Sequence, residues 1–282
     1  MVPEILVSTE RLEQLISEGD CLVVDCRFDL SDGSKGRKAW LAGHIPGAHY
    51  AHLGDDLSAR VTAQSGRHPL PETKAFAVFL ASLGWIEGQL VVACDEGSNA
   101  ISGRLWWLMR YFGQPAALLD GGMAAWHEAG LPLQTGPVEA QPAPEPNLQA
   151  DPAMTISTGQ IVDNLERKDI FVLDARAPDR FSGAVESLDA KAGHIPGAVN
   201  RHIQLNLKSN GRFKDPADLR SEFEARLGDI GAESVAHSCG SGVTACHNSF
   251  AMELAGMGRG LLYPGSWSEW IQDPSRPVET DS

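Results

Sequence analysis

One cysteine of this chain lies in a setting that favours nucleophilic chemistry. Residues 234–246 read SVAHSCGSGVTAC, so Cys239 follows a short strand-like run, opens a glycine-rich loop and precedes a helix-like segment. Gly240 and Gly242 allow such a loop to curl until successive backbone N–H groups point inward, and a helix start adds its positive dipole end. Both features stabilise a thiolate, the reactive form of cysteine. The pattern predicts a nucleophile, with a buried structural cysteine as the alternative.

The elements that must position this loop belong to a repeat. An apolar run ending in Asp-x-Arg is followed, 19 residues after the Asp in one copy and 20 in the other, by the His of a GHIPGA motif. These matching segments are residues 22–27 with 43–48, and residues 171–176 with 193–198. Several motifs that recur in one order indicate two tandem copies of one fold. The motif histidines His44 and His194 occur in both copies beside Pro-Gly turns, so we interpret them as structural.

Each copy alternates short apolar runs with amphipathic stretches. Residues 90–93 and 117–119 are typical of buried strands, whereas residues 72–83 and 102–112 are typical of helices. Such alternation predicts an α/β fold in which each domain is a parallel sheet flanked by helices. The proline-rich segment 136–152 favours an extended linker, which gives domains at residues 1–135 and 153–282.

The first copy provides an internal control for the nucleophile. Counting back 31 residues from Trp270 reaches Cys239, and counting back 31 from the equivalent Trp126 reaches Asp95. A carboxylate repels anionic donors and cannot form a persulfide. The first domain is therefore predicted to be catalytically inactive.

Composition narrows the classes of function. The chain has 282 residues, a formal net charge of −14 and no basic stripe, which argues against nucleic-acid binding. No apolar run is long enough to span a membrane. The five cysteines form no metal-ligand spacing, and an odd count without a signal peptide predicts free thiols in a cytoplasmic, reducing compartment.

Over nearly its whole length the chain resembles the tandem rhodanese-fold sulfurtransferases. The resemblance rests on the paired HIPGA motifs, on GSWSEW at residues 265–270, and on CGSGVT at 239–244, which is similar to the active loop of 3-mercaptopyruvate sulfurtransferases. Loops of the related thiosulfate enzymes carry basic residues after the cysteine. The loop here therefore favours a carboxylate-bearing donor, contacted by Gly240, Gly242, Val243 and Thr244.

The resemblance also implies roles for residues outside the loop. Arg180 falls at the position of one substrate-binding arginine; at the second position stands Ser187 or Leu188, and Lys191 or Arg201 could substitute. A proton relay is implied for Ser241, His68 and Asp55. The implied reaction moves sulfur from a small anionic donor to a thiol or cyanide through a Cys239 persulfide, without metal or organic cofactor.

Two alternative functions stand beside mercaptopyruvate sulfurtransferase. Thiosulfate sulfurtransferase shares the same chemistry, and a non-catalytic persulfide carrier or redox-sensing module belongs to another class.

Tyrosine phosphatases also place a cysteine in an anion-binding loop, but they need an arginine six positions later to hold phosphate. Ala245 stands there, which excludes that reading.

Overall fold

The computed structural model describes residues 4–281, in two compact units. The first unit comprises the described residues up to Ala59, together with Leu70–Asp151 and Ser209–Arg212. The second comprises Arg60–Pro69, Pro152–Lys208 and the residues from Phe213 onward. Segment Arg60–Pro69 thus belongs to the second unit, although it lies within the sequence range predicted for the first domain. Residues 1–3 and 282, at the ends of the predicted domains, lie outside the described residues.

The first unit is built on a parallel five-stranded sheet. The strands are β1 (Leu6–Val7), β2 (Cys21–Asp25), β3 (His49–Tyr50), β4 (Leu90–Cys94) and β5 (Ala116–Leu119). Their spatial order is β1-β5-β4-β2-β3. The helices are α1 (Thr9–Glu18), α2 (Ser34–Ala42), α3 (Thr73–Ser82), α4 (Ser102–Tyr111) and α5 (Gly122–Glu128). The strands and helices predicted for this copy are confirmed.

The second unit repeats this plan with four strands. The strands are β6 (Phe171–Asp174), β7 (Val199–Asn200), β8 (Val235–Ser238) and β9 (Leu261–Leu262). Their order, β7-β6-β8-β9, reproduces β3-β2-β4-β5, and every pair is parallel. The helices are α6 (Thr158–Arg167), α7 (Pro178–Ser182), α8 (Pro216–Leu227), α9 (Ala245–Leu254) and α10 (Ser266–Trp270). The predicted α/β fold with two repeated domains is confirmed.

The central strands form because both of their faces are covered. In β4, every residue from Val91 to Cys94 is fully buried, as expected for a parallel strand between two helical layers. On one face, Trp126 of α5 and Leu12 of α1 join Val92 and Cys94 in a single apolar cluster. This packing fixes the carboxyl end of the sheet, where the loop that begins at Asp95 follows β4.

The repeated Asp-x-Arg motifs brace the sheets in both units. Arg27 Nη2 donates to Asp25 at 2.6 Å and to the Gly43 carbonyl at 2.7 Å. The same donor of Arg176 reaches Asp174 at 2.9 Å and the Gly193 carbonyl at 2.9 Å. Each pair therefore ties the end of a central strand to the start of the following GHIPGA motif, which agrees with a structural role.

The free energy of unfolding is predicted to depend on pH through His237, a buried residue of β8. Burial lowers the pKa of His237 to about 4 from its ordinary value of 6.5. Between these values the unfolded chain binds the proton more strongly, so the free energy of unfolding should fall as the pH falls, by up to about 3 kcal/mol. Denaturant titrations from pH 7 to pH 4 measure this loss. His237→Leu should flatten the profile, whereas His127→Leu, at an exposed position, should not. Identical profiles for wild type and His237→Leu would contradict the prediction.

Candidate active site

The loop that begins at Cys239 lies at the carboxyl end of the second sheet, between β8 and α9. Cys239 is the first residue after the strand and is only 1% exposed. Its Sγ accepts hydrogen bonds from the backbone N–H groups of Gly242 at 3.1 Å and Ser241 at 3.4 Å. The loop therefore curls around the sulfur and presents donors that stabilise negative charge on it.

Contacts to α10 fix the shape of this loop. The Cys239 N–H donates to Ser266 Oγ at 3.0 Å, and the Cys239 carbonyl accepts from the Trp267 N–H at 3.0 Å. Gly242 has a φ of +76°, and a Cβ added there would meet the Pro264 carbonyl oxygen at 2.4 Å. Glycine is required at this position both for its left-handed conformation and for the close approach of two backbones.

The two predicted relay residues Ser241 and His68 meet in the second unit. His68 Nδ1 lies 2.8 Å from Ser241 Oγ, within hydrogen-bond reach. His68 is positioned because the N–H of the preceding Arg67 donates to Ser268 Oγ at 3.0 Å. The segment carrying His68 thus packs beside the active loop, and an imidazole there can exchange protons with the hydroxyl.

The third predicted relay residue, Asp55, lies in the first unit. Its carboxylate is 3.0 Å from His52 Nδ1, and its side chain is 82% exposed. The neighbouring Asp56 carboxylate accepts the backbone N–H of His52 at 2.7 Å. The role of Asp55 in the relay stays a prediction.

Two guanidinium groups converge on Gly240, the residue after Cys239. A Cβ built on Gly240 would lie 2.9 Å from Arg67 Nη2 and 3.5 Å from Arg180 Nη1. Burial lowers the pKa of the Arg67 guanidinium, and the nearby Cys239 opposes this shift. The active loop is thus flanked by two cationic groups suited to an anionic substrate.

Acidic residues of the segment after α7 anchor the same two arginines. Asp189 Oδ1 pairs with Arg67 Nη1, and Asp189 Oδ2 lies 3.0 Å from Arg180 Nη2. Glu186 accepts from Arg180 Nη2 at 2.9 Å through each carboxylate oxygen and from Nε at 3.3 Å. The Asp189 and Glu186 side chains are 3% and 4% exposed. Each arginine is therefore held through one side of its guanidinium while another nitrogen faces the loop.

The sequence led us to predict Arg180 as a substrate-binding residue, and the structure places beside Gly240 both Arg180 and Arg67, which was not predicted. Of the two suggested substitutes for the second arginine, Arg201 is buried and donates to Asn206 and Glu222, each at 3.0 Å. Lys191 is exposed, and its carbonyl accepts from Trp267 Nε1 at 2.8 Å. A signal for Arg67 was present, since this cation directly precedes His68. Nothing local, however, showed that residues 60–69 pack with the second unit.

The remaining loop residues differ in exposure. Val243 is buried, whereas Thr244 is partly exposed. The Cys246 thiol donates to the Gly242 carbonyl at 3.4 Å and is fully buried, which agrees with a packing role. Among the residues from 4 to 281, no group of three or more His, Cys, Asp or Glu is arranged to hold a metal ion.

In the first unit, Asp95 holds the place that Cys239 holds in the second. The Asp95 carbonyl accepts from the Met123 N–H at 2.8 Å, as the Cys239 carbonyl does from Trp267. The Asp95 carboxylate accepts four backbone N–H groups, three from its own loop and one from the first residue of α4. These donors are Gly97 at 3.1 Å, Asn99 at 2.9 Å, Ile101 at 2.9 Å and Ser102 at 3.3 Å. The anion-binding loop of the first unit is therefore filled by the chain's own carboxylate.

The repeated fold and the cysteine loop define a family. A model of the rhodanese-like domain matches residues 8–129 and again residues 157–273, and the chain belongs to this family of tandem sulfurtransferases. The chain is 45% identical to a Pseudomonas aeruginosa protein named "probable 3-mercaptopyruvate sulfurtransferase", over 98% of both chains. It is also 32% identical to the bovine thiosulfate sulfurtransferase, over 98% of this chain and 94% of the relative.

A solved structure agrees with these relatives. The 3-mercaptopyruvate sulfurtransferase from Leishmania major superposes with a TM-score of 0.85 at 27% identity, covering 97% of this chain and 76% of that one.

Within the residues that the structure describes, no helix combines the length and apolar character needed to cross a membrane.

Proposed function

We propose that this protein is a 3-mercaptopyruvate sulfurtransferase in which Cys239 carries the transferred sulfur. One observation carries the proposal: the loop whose N–H groups hold the Cys239 sulfur is approached at Gly240 by Arg67 and Arg180, and its Ser241 hydroxyl lies within hydrogen-bond reach of His68. The cations suit the carboxylate of the donor, and the hydroxyl–imidazole pair suits a reaction that moves a proton. A non-catalytic carrier would have no need for this second pair.

In the first step, the Cys239 thiolate attacks the sulfur of mercaptopyruvate. An S–S bond forms to Cys239 while the donor's C–S bond breaks, and the electron pair of that bond passes into the adjacent carbonyl as an enolate. The donor carboxylate is bound by Arg67 Nη2 and Arg180 Nη1, which face Gly240. Binding there places the donor sulfur beside the nucleophile.

Release of the product requires one proton. Ser241 and His68, joined at 2.8 Å, supply it to the enolate carbon, and pyruvate leaves. Asp55 is proposed to support His68 in this relay. Ser241 also supplies one of the two backbone N–H groups that contact the sulfur, so the loop couples nucleophile stabilisation to proton delivery.

In the second step, a thiolate or cyanide attacks the outer sulfur of the persulfide. The acceptor takes that sulfur, and the Cys239 thiolate is restored. We place this reaction in the cytoplasm, because all five cysteines are free and the chemistry needs reduced thiols.

Comparing sulfur donors tests the proposal. With cyanide as acceptor, mercaptopyruvate should give a kcat/KM at least about tenfold above that of thiosulfate, equivalent to roughly 1.4 kcal/mol of transition-state binding. Equal or reversed efficiencies would assign the protein to the thiosulfate enzymes instead. Persulfide formation without turnover on either donor would favour the non-catalytic carrier.

A further inference from the structure

We infer that Asp189, together with Glu186, sets the charge preference of the donor site: their carboxylates position Arg67 and Arg180 and neutralise them, so that singly charged donors are favoured over dianions. This inference rests on the proposed sulfurtransferase function and concerns the choice among donors. Asp189 and Glu186 are positioning residues, since they act through the arginines.

Geometry supports the positioning role. Asp189 bridges Arg67 and Arg180 through its two oxygens, so one carboxylate fixes the separation of both guanidinium groups. Glu186 holds Arg180 from a second direction and also accepts the backbone N–H groups of Leu188 at 2.8 Å and Asp189 at 3.0 Å. The segment is thus folded around the Glu186 carboxylate, which orients Asp189 toward the arginines.

The charges in this cluster cancel. Arg67 and Arg180 contribute two positive charges, and the carboxylates of Asp189 and Glu186 contribute two negative ones. The adjacent Arg176 is paired at 2.9 Å with Asp174 and lies 4.0 Å from Glu186, so it adds a balanced pair. The side chains of Asp189 and Glu186 are almost completely buried, and charges removed from solvent interact strongly.

Charge cancellation discriminates between donors. Mercaptopyruvate brings one negative charge to a site that already holds the Cys239 thiolate, whereas thiosulfate brings two. Two unopposed arginines would offset a dianion, but neutralised arginines offer directed N–H groups with little excess positive charge. The site is therefore suited to hydrogen-bonding one carboxylate rather than to attracting a dianion.

The test uses Asp189→Asn in the full chain, which keeps the side-chain shape and removes one negative charge. We expect the ratio of kcat/KM for thiosulfate to that for mercaptopyruvate to rise at least roughly fivefold over wild type, with a smaller rise at high salt because screening weakens charge effects. Methanethiosulfonate, a singly charged donor with a similar sulfur, should gain less than thiosulfate. Glu186→Gln, which removes the second carboxylate, should shift the ratio in the same direction and serves as the test if Asp189→Asn does not fold.

The matched control is Asp229→Asn, which makes the same charge change at an exposed position. Asp229 lies before the start of β8, whereas Cys239 follows the end of that strand. Its ratio should equal that of wild type. An unchanged ratio in both site variants, or an equal fall on all three donors, would overturn the inference. The inference concerns the change in the donor ratio relative to wild type, whereas the proposed function concerns the donor ratio of wild type itself. The two can therefore fail separately: the proposed function fails if wild type prefers thiosulfate.

Discussion

Replacement of Cys239 by serine is expected to abolish sulfur transfer while the fold is kept. The serine hydroxyl can accept the same loop N–H groups that now contact the sulfur, so the loop should retain its shape. A hydroxyl is a poor nucleophile toward sulfur, and loss of an essential nucleophile lowers kcat by at least about a thousandfold. Steady-state assays with mercaptopyruvate and cyanide measure the loss, and mass spectrometry after donor addition should show no added sulfur.

Two other cysteine variants control for the loss of a thiol as such. Cys21 is only partly buried and lies on β2 of the first unit, so Cys21→Ser should retain activity. Cys246→Ser can still donate to the Gly242 carbonyl and should also remain active. Substantial activity in Cys239→Ser, or a comparable loss in Cys21→Ser, would mean that the nucleophile has been wrongly assigned.

Arg180→Lys is expected to lower kcat/KM for mercaptopyruvate roughly ten- to a hundredfold, the loss expected from a charge-assisted contact. The guanidinium bonds Glu186 and Asp189 while Nη1 still faces Gly240. One ammonium cannot reproduce that planar arrangement, although it keeps the charge. Thiosulfate has no carboxylate to bind, so its efficiency should fall less.

The same substitution at Arg201 is the control. Arg201 is also buried and paired with a carboxylate, Glu222, so Arg201→Lys reports the cost of disturbing such a pair away from the loop. Its donor ratio should be that of wild type. Parallel losses on both donors in Arg180→Lys would mean that Arg180 supports the loop without binding the carboxylate.

The fold could be predicted from the sequence because its signals are local and repeated. Apolar runs such as residues 90–93 and 117–119 can be buried only between two layers, and the second copy of each motif supports the first. The loop at Cys239 could also be predicted from the sequence, because the positions of its glycines and the change from strand to helix specify its backbone. These features depend on residues that are neighbours along the chain.

The rest of the site depends on residues that are distant in sequence. Arg67 contacts Asp189 across 122 positions, and no periodicity links the two. Acidic residues are not expected beside a site for anions, because they would repel the ligand. Asp189 and Glu186 lie there because each is paired with an arginine, and the sequence does not show that pairing. Asp55 stays a prediction for the same reason, since its partners depend on tertiary packing.

Asp95 gives the first unit a permanently occupied loop. Its carboxylate is part of the chain, so it cannot dissociate from its four N–H donors as a bound ligand could. In the proposed reaction, the loop around Cys239 instead surrounds a sulfur whose charge and size change during every turnover, as the thiolate becomes a persulfide and is then restored. One chain thus holds an invariant and a responsive version of the same loop. Oxidants that attack thiolates can disable the second and leave the first untouched.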